Sequence, residues 1–185
     1  MTSPRLAFRF ALILVAALIA ACGDDDNLPA NPQANIIDTV TIGSLTGTPI
    51  TTPSGFSVVN GAVRTDLSAD FDFAYNILPD GQPVFLPRAE LGLPSTTANP
   101  GLQRRNESFD EIEQASSNGY TTDDPVPFAL GDRFMVRSRV VCGSLGVPLY
   151  AKIEIIGLED RLVHLKTLAN VNCGYKDLTP GVPDN

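Results

Sequence analysis

The feature that most constrains the fold of this chain is an alternation of apolar and polar side chains with a period of two. It is clearest around residues 134–140, where one face carries Phe134, Val136, Ser138 and Val140 and the other carries Met135, Arg137 and Arg139. Successive side chains of a β-strand point to opposite faces, so this period predicts strands with one buried face. Similar patterns predict strands at 36–42, 56–63, 71–77, 151–155 and 163–166.

The connections between these segments also favour a β-rich domain. Asn60-Gly61 and Pro79-Asp80-Gly81 are turn signals. Ser108 followed by Glu111 has the spacing of a capping box, which predicts one short helix. The sequence therefore predicts one all-β domain, an antiparallel sheet or sandwich with long loops and at most one short helix. The long segment 87–105, rich in Pro, Gly, Thr and Asn, is expected to leave the sheet as a loop that is either a binding loop or disordered.

The N-terminal segment has the features of a secretory signal. Arg5 and Arg9 precede an apolar run at 10–19, which is too short for a stable membrane-spanning helix. Ile19-Ala20-Ala21-Cys22 resembles the lipobox of bacterial lipoproteins, and that resemblance implies cleavage before Cys22 and lipid attachment to its thiol. The alternative is an ordinary signal peptide with an incidental cysteine. The expected organisation is a signal peptide at 1–21, an acidic tether at 22–35, the β-domain at 36–176 and a C-terminal tail at 177–185.

The cysteine count agrees with this assignment. The chain has three cysteines, and if Cys22 is lipidated, Cys142 and Cys173 remain to form one disulfide in an oxidising compartment. The alternative is a metal site. Zinc, however, usually requires four ligands, and these two cysteines are far apart in a chain with one histidine.

The charge limits the possible partners. The formal charge is −8, and removing Arg5 and Arg9 with the signal takes it to −10. Nucleic acid and anionic lipid both require a basic surface, so neither is expected as a partner, and membrane attachment is expected through the lipid alone. The expected location is the outer membrane. The sequence does not distinguish its periplasmic face from its outer surface. Asp24, Asp25 and Asp26 are either a solvated spacer or a surface-export signal.

Five pieces of the chain, in this order and spacing, carry a family resemblance. They are Phe71-Asp72-Phe73-Ala74-Tyr75, Ser108-Phe109-Asp110-Glu111-Ile112, Gly119-Tyr120, Gly131-Asp132-Arg133-Phe134-Met135-Val136-Arg137-Ser138 and Tyr150-Ala151-Lys152-Ile153-Glu154-Ile155. Over roughly 36–175 the chain resembles the HmuY-like haem-binding lipoproteins. The resemblance implies an exported all-β domain that holds haem between two axial His or Met side chains and passes it to an outer-membrane haem transporter.

Only two side chains are candidates for haem ligation in the mature chain. His164 is the single histidine, and Met135 is the single methionine left after signal removal. A His/Met pair suits haem iron, as does one of the two with an open sixth position. Alternation places both residues on the polar faces of their strands, free of the core. The alternative is a solvated histidine and a methionine that fills a gap in packing.

The sequence gives weaker support to catalysis. A nucleophile-histidine pair would have to use His164, and no Gly-x-Ser-x-Gly motif is present. Neighbouring carboxylates such as Asp123 and Asp124 fall in polar stretches, where solvation explains them. We therefore expect a protein that is not an enzyme. The alternative to haem uptake is a surface lipoprotein that binds a protein or a glycan.

Overall fold

The chain folds into two antiparallel five-stranded sheets, as seen in a computed structural model that describes residues 32–95 and 97–183. The first sheet contains the long strands and has the order β1-β10-β9-β8-β6. Its strands are β1 (Ile36–Gly43), β6 (Gly101–Arg105), β8 (Arg133–Cys142), β9 (Val147–Glu159) and β10 (Leu162–Asn170). The second sheet has the order β3-β2-β4-β5-β7. Its strands are β2 (Gly55–Ser57), β3 (Gly61–Val63), β4 (Phe73–Ile77), β5 (Pro83–Pro87) and β7 (Val126–Pro127).

The two sheets enclose the main hydrophobic core, as the alternating pattern predicts. Phe134 and Val136 of β8 face Phe73 and Phe85 of the second sheet, and all four side chains are buried. The ring of Phe85 lies 4.6 Å from that of Phe73 and 5.9 Å from that of Phe134, centroid to centroid. Aromatic pairs at such distances add to the free energy gained by burying their area. The predicted all-β sandwich is confirmed.

The outer face of the first sheet is buried too, which the alternation did not predict. Met135, Tyr150 and Leu168 pack there beneath Phe109 and Ile112 from the connection between β6 and β7. Leu178, from the segment after β10, completes this second cluster. Strands β8 and β9 are therefore covered on both faces, and the expectation of one buried face is wrong for them.

The predicted helix after Ser108 is wrong, although its capping box is present. Ser108 N and Oγ both donate to Glu111 Oε2, at 2.9 and 2.7 Å, but the segment makes a single turn. The chain then turns toward the sheet because Ile112 O accepts from Lys152 Nζ and Ala115 N donates to Lys176 O. These bonds use backbone groups that a helix would need for its own ladder.

Both predicted domain boundaries need correction. The predicted tether includes Asn35, but this residue is buried and exchanges two backbone hydrogen bonds with Gly181. The predicted C-terminal tail includes Leu178, but this residue is buried and its N–H donates to Glu113 O at 2.7 Å. The domain therefore includes these flanking segments, because they close the outer face of the first sheet.

The predicted loop 87–105 is partly wrong. Pro87 ends β5 and residues 101–105 form β6, so only the residues between them connect the two sheets. Arg88 holds this connection through a bond from its Nε to Leu93 O at 3.3 Å and a cation-π contact with Phe71 at 5.6 Å. Among the described residues, no helix is long and apolar enough to cross a membrane.

Candidate functional site

Met135 lies on the outer face of the first sheet, as predicted, but it is not free of a core. Its side chain is completely buried in the second hydrophobic cluster. Its sulfur already accepts a hydrogen bond from Arg105 Nη1, with 3.9 Å between the two atoms. An iron atom could reach this sulfur only if the covering segment moved away.

His164 lies on the same face, in β10. Its Nδ1 is 2.8 Å from Thr41 Oγ1, and its Nε2 is 3.8 Å from a carboxylate oxygen of Glu159. The ring packs across Gly157, where an added Cβ would approach His164 Cδ2 to 2.9 Å. The Nε2 atom is buried and has no hydrogen-bond partner within the described part of the chain.

The structure does not bring Met135 and His164 together. Met135 pairs with Lys152, Lys152 pairs with Leu168, and His164 lies four residues from Leu168 along β10. Two strand spacings and four residues correspond to roughly 16 Å between the two Cα atoms. A single iron atom cannot bridge that separation, so these positions do not form a His/Met axial pair.

Between the two candidates lies a pair of lysines that share one aromatic ring. Lys152 Nζ is 4.6 Å and Lys166 Nζ 4.1 Å from the centroid of Phe109. Lys152 is 1 % exposed, and its Nζ donates to Ile112 O at 3.0 Å. Burial lowers the pKa of Lys152, opposed by the charge of Asp110. These cation-π contacts and the hydrogen bond from Lys152 hold the segment that carries Phe109 against the outer face of the first sheet.

A groove of about 510 Å³ lies at one edge of the sandwich. It lies between β1 and β3, which are the edge strands of their sheets. The two strands meet at Val40, where a Cβ on Gly61 would be 3.5 Å from Val40 Cγ1. Its volume is in the usual range for ligand sites.

Most of the described residues that line the groove have aliphatic or aromatic side chains. Side chains from both sheets line it, including Ile36, Val40, Phe56, Val59, Ala62 and Ala169. Ile36 is 72 % exposed and Val59 46 %. Asp38 is the one charged residue among the described residues of the lining. The local sequence pattern does not predict this groove, because a groove between two edges depends on which strands are outermost in their sheets.

Among the residues that the structure describes, the outer backbone edge of β1 is paired at both ends and unpaired in its middle. Asn35 N and O bond to Gly181, and Gly43 N donates to Pro53 O, so these odd-numbered residues point away from β10. In an antiparallel strand the N–H and C=O of one residue point to the same side, and the side alternates along the strand. Ile37, Thr39 and Thr41 therefore present their backbone groups outward, beside the groove.

The carboxylate of Asp38 covers the backbone N–H of Thr39, which is the middle one of the three outward N–H groups of this edge. Asp38 Oδ1 accepts the N–H of Thr39 at 2.7 Å. Its own carbonyl oxygen points the other way and lies 3.4 Å from Thr167 Oγ1 of β10. A charged residue on an edge strand discourages unselective pairing with other strands.

The predicted disulfide is present. Cys142, at the end of β8, bonds to Cys173, beyond β10, with 5.7 Å between their Cα atoms. That separation is typical of a disulfide. Cys22, the predicted lipid attachment site, lies outside the described residues, as do the signal peptide and most of the tether.

Neither the metal-ligating side chains nor the comparisons with known proteins identify a function. Within 32–95 and 97–183, no group of three or more His, Cys, Asp or Glu side chains is placed to hold a metal ion. The chain matches no family model, no curated protein and no solved structure. The functional argument therefore depends on the geometry of the groove and the edge of β1.

Proposed function

We propose that the protein is an exported, lipid-anchored, non-catalytic lipoprotein of the bacterial outer membrane that binds a partner protein in the groove between β1 and β3. The observation that supports this function best is an apolar groove of about 510 Å³ beside an open strand edge. Such a groove offers apolar contact area, and the open edge offers backbone hydrogen bonds.

The position of the groove suits an anchored binding protein. Gln33 and Ala34 line it, and the proposed lipid site Cys22 lies eleven residues before Gln33. Eleven residues span at most about 36–40 Å, so the groove would be held within that distance of the membrane. A partner that works at the membrane surface would meet the groove there.

Lipid attachment is the first requirement of this proposal. In the producing bacterium, the mature protein should begin at Cys22, and mass spectrometry of its N-terminal peptide should show a diacylglycerol on the thiol and an acylated amine. Cys22→Ser should release the protein from the membrane fraction, because the lipid is its proposed attachment. An unmodified Cys22 in the mature protein would contradict the proposed lipid anchor.

Haem uptake, which the family resemblance implies, stays a prediction, and the geometry gives it less support. Haemin titration decides between the two functions. We expect no saturable low-spin Soret shift that depends on His164, because Met135 is buried and roughly 16 Å away. Ala169→Leu, which narrows the groove without touching either candidate ligand, is the matched variant.

The outcomes of the titration are clear. A saturable Soret shift that is lost in His164→Ala and kept in Ala169→Leu would replace the groove with a haem site on the outer face. No such shift, or one unchanged in His164→Ala and in Met135→Ala, leaves neither residue as a ligand and supports the groove.

A further inference from the structure

The open edge of β1 has a defined length. Asn35 and Gly43 are already bonded to Gly181 and Pro53, so the outward backbone groups that have no partner within 32–95 and 97–183 lie between them. Eight residue steps along a strand correspond to roughly 26 Å. A segment of about six residues fits between the two closed ends, and it would pair with the outward groups of Ile37, Thr39 and Thr41.

A strand added here would also fill the groove. The inward side chains of β1, among them Ile36 and Val40, line the groove. An added strand continues the same sheet, so its alternate side chains would point toward the second sheet and enter the groove beside Val59 and Ala62. The lining is mainly aliphatic, which favours aliphatic side chains on the inserted face except beside Asp38.

The negative charge of Asp38 at the groove favours an incoming strand that carries basic side chains. Asp38 is the one charged residue among the described lining, and the whole chain has a formal charge of −8. A lysine or arginine on the inserted face, beside Asp38, would draw the Asp38 carboxylate away from Thr39 N, which frees that N–H for the strand's own carbonyl. A second copy of this chain would instead bring another Asp38 and another negative net charge to the same edge, which Coulomb repulsion disfavours.

From these observations we propose that β1 binds an extended partner segment of about six residues that combines aliphatic and basic side chains, added as a sixth strand to the first sheet. This inference rests on the proposed binding function and names the class of partner. Asp38 acts as the selective element: it covers the edge against neutral or acidic strands and yields to basic ones.

The test uses the mature, lipidated protein in detergent and a labelled, acetylated and amidated six-residue peptide in which two valines and one lysine alternate with threonines, so that the lysine and the valines share the inserted face. We expect saturable binding by fluorescence anisotropy. The same peptide with glutamate in place of lysine should bind at least about tenfold more weakly. Ile37→Pro and Ile37→Ala both remove the side chain, but only proline removes the outward N–H. Proline should therefore weaken binding about 5–10-fold relative to alanine, the range expected for one lost hydrogen bond.

Asp38→Asn should weaken binding of the lysine peptide and reduce its dependence on salt, because the charge pair is lost.

Hydrogen exchange in the unaltered protein gives a readout that does not depend on variants: the amides of Ile37 and Thr41 should become protected when the lysine peptide is added. Equal binding of both peptides, equal affinity of Ile37→Pro and Ile37→Ala, or unchanged exchange at Ile37 and Thr41 would overturn the inference. A stable dimer seen by light scattering, with these amides protected before peptide is added, would also overturn it. If this test fails while a groove-specific contact is found in cells, the binding function stands and only the class of partner is wrong.

Discussion

Replacing Cys142 and Cys173 together with serine should lower the free energy of unfolding by about 3–4 kcal/mol. The disulfide closes a loop with a sequence separation of 31, and in the chain-entropy model a loop of this length restricts the unfolded chain by that amount. Cys173 also lies beside Asn172, which accepts a hydrogen bond from Gln33 N at 2.6 Å and so holds the start of the domain. Urea unfolding of the parent and the double variant measures the effect.

The local consequence of losing the disulfide should follow its position. Hydrogen exchange should increase first in the segment after β10, including Leu178 N–H, because the bridge ties that segment to β8. The reduced parent protein is the control, since it removes the bond without changing the sequence. A double variant within about 0.5 kcal/mol of the oxidised parent would mean that the bridge adds little to stability.

Asp72→Ala should be similarly damaging, by about 2–6 kcal/mol. Asp72 is 2 % exposed, and its two carboxylate oxygens accept the N–H groups of Val58 at 2.8 Å and Arg139 at 3.0 Å. The carboxylate thus joins a turn of the second sheet to the irregular end of β8 in the first. Alanine leaves two N–H groups without partners in the interior, each at a cost of about 1–3 kcal/mol. Asp66→Ala is a matched control, because Asp66 is a turn residue with an ion pair to Arg64.

The same carboxylate should give a pH dependence with a definite sign. Burial raises the pKa of Asp72 above its ordinary value of 3.8, although the two backbone N–H groups and the Arg139 and Arg88 charges oppose the shift. The folded state therefore holds this proton at a higher pH than the unfolded state does, so the contribution of Asp72 to stability falls as the pH rises above about 3.8. Asp72→Asn cannot titrate. The stability of the parent relative to this variant should decrease from about pH 4 upward, and a constant difference across that range would contradict the assignment.

Much of the fold could be predicted from local pattern, because alternation reports which face of a strand is buried. Alternation predicts strands β8, β9 and β10, and the Pro79-Asp80-Gly81 sequence predicts the turn, where Gly81 has a φ of +89°. The pattern failed where a charged side chain is buried. Lys152 reads as solvent-facing in the sequence, but Phe109 and Ile112 O surround its ammonium group.

The candidate site could not be predicted in the same way, because it depends on tertiary placement. Met135 and His164 share a face, as the alternation indicates, but only strand order and register show how far apart they lie. One signal of the groove was present in the sequence: Asp38 occupies an inward position between Ile36 and Val40, where a covered strand would carry an apolar side chain. An inward charge is typical of an edge strand.

The most direct test of the central claim, that the groove is the functional surface, is site-specific photo-crosslinking in the producing cells. A photoreactive side chain would replace Val59 or Ile36, which are exposed at the groove, or Leu130, which is 64 % exposed in the connection between β7 and β8 and serves as the control. We expect the same discrete adduct from Val59 and Ile36 and none from Leu130. An identical adduct pattern from all three positions, or adducts from Leu130 alone, would contradict the account.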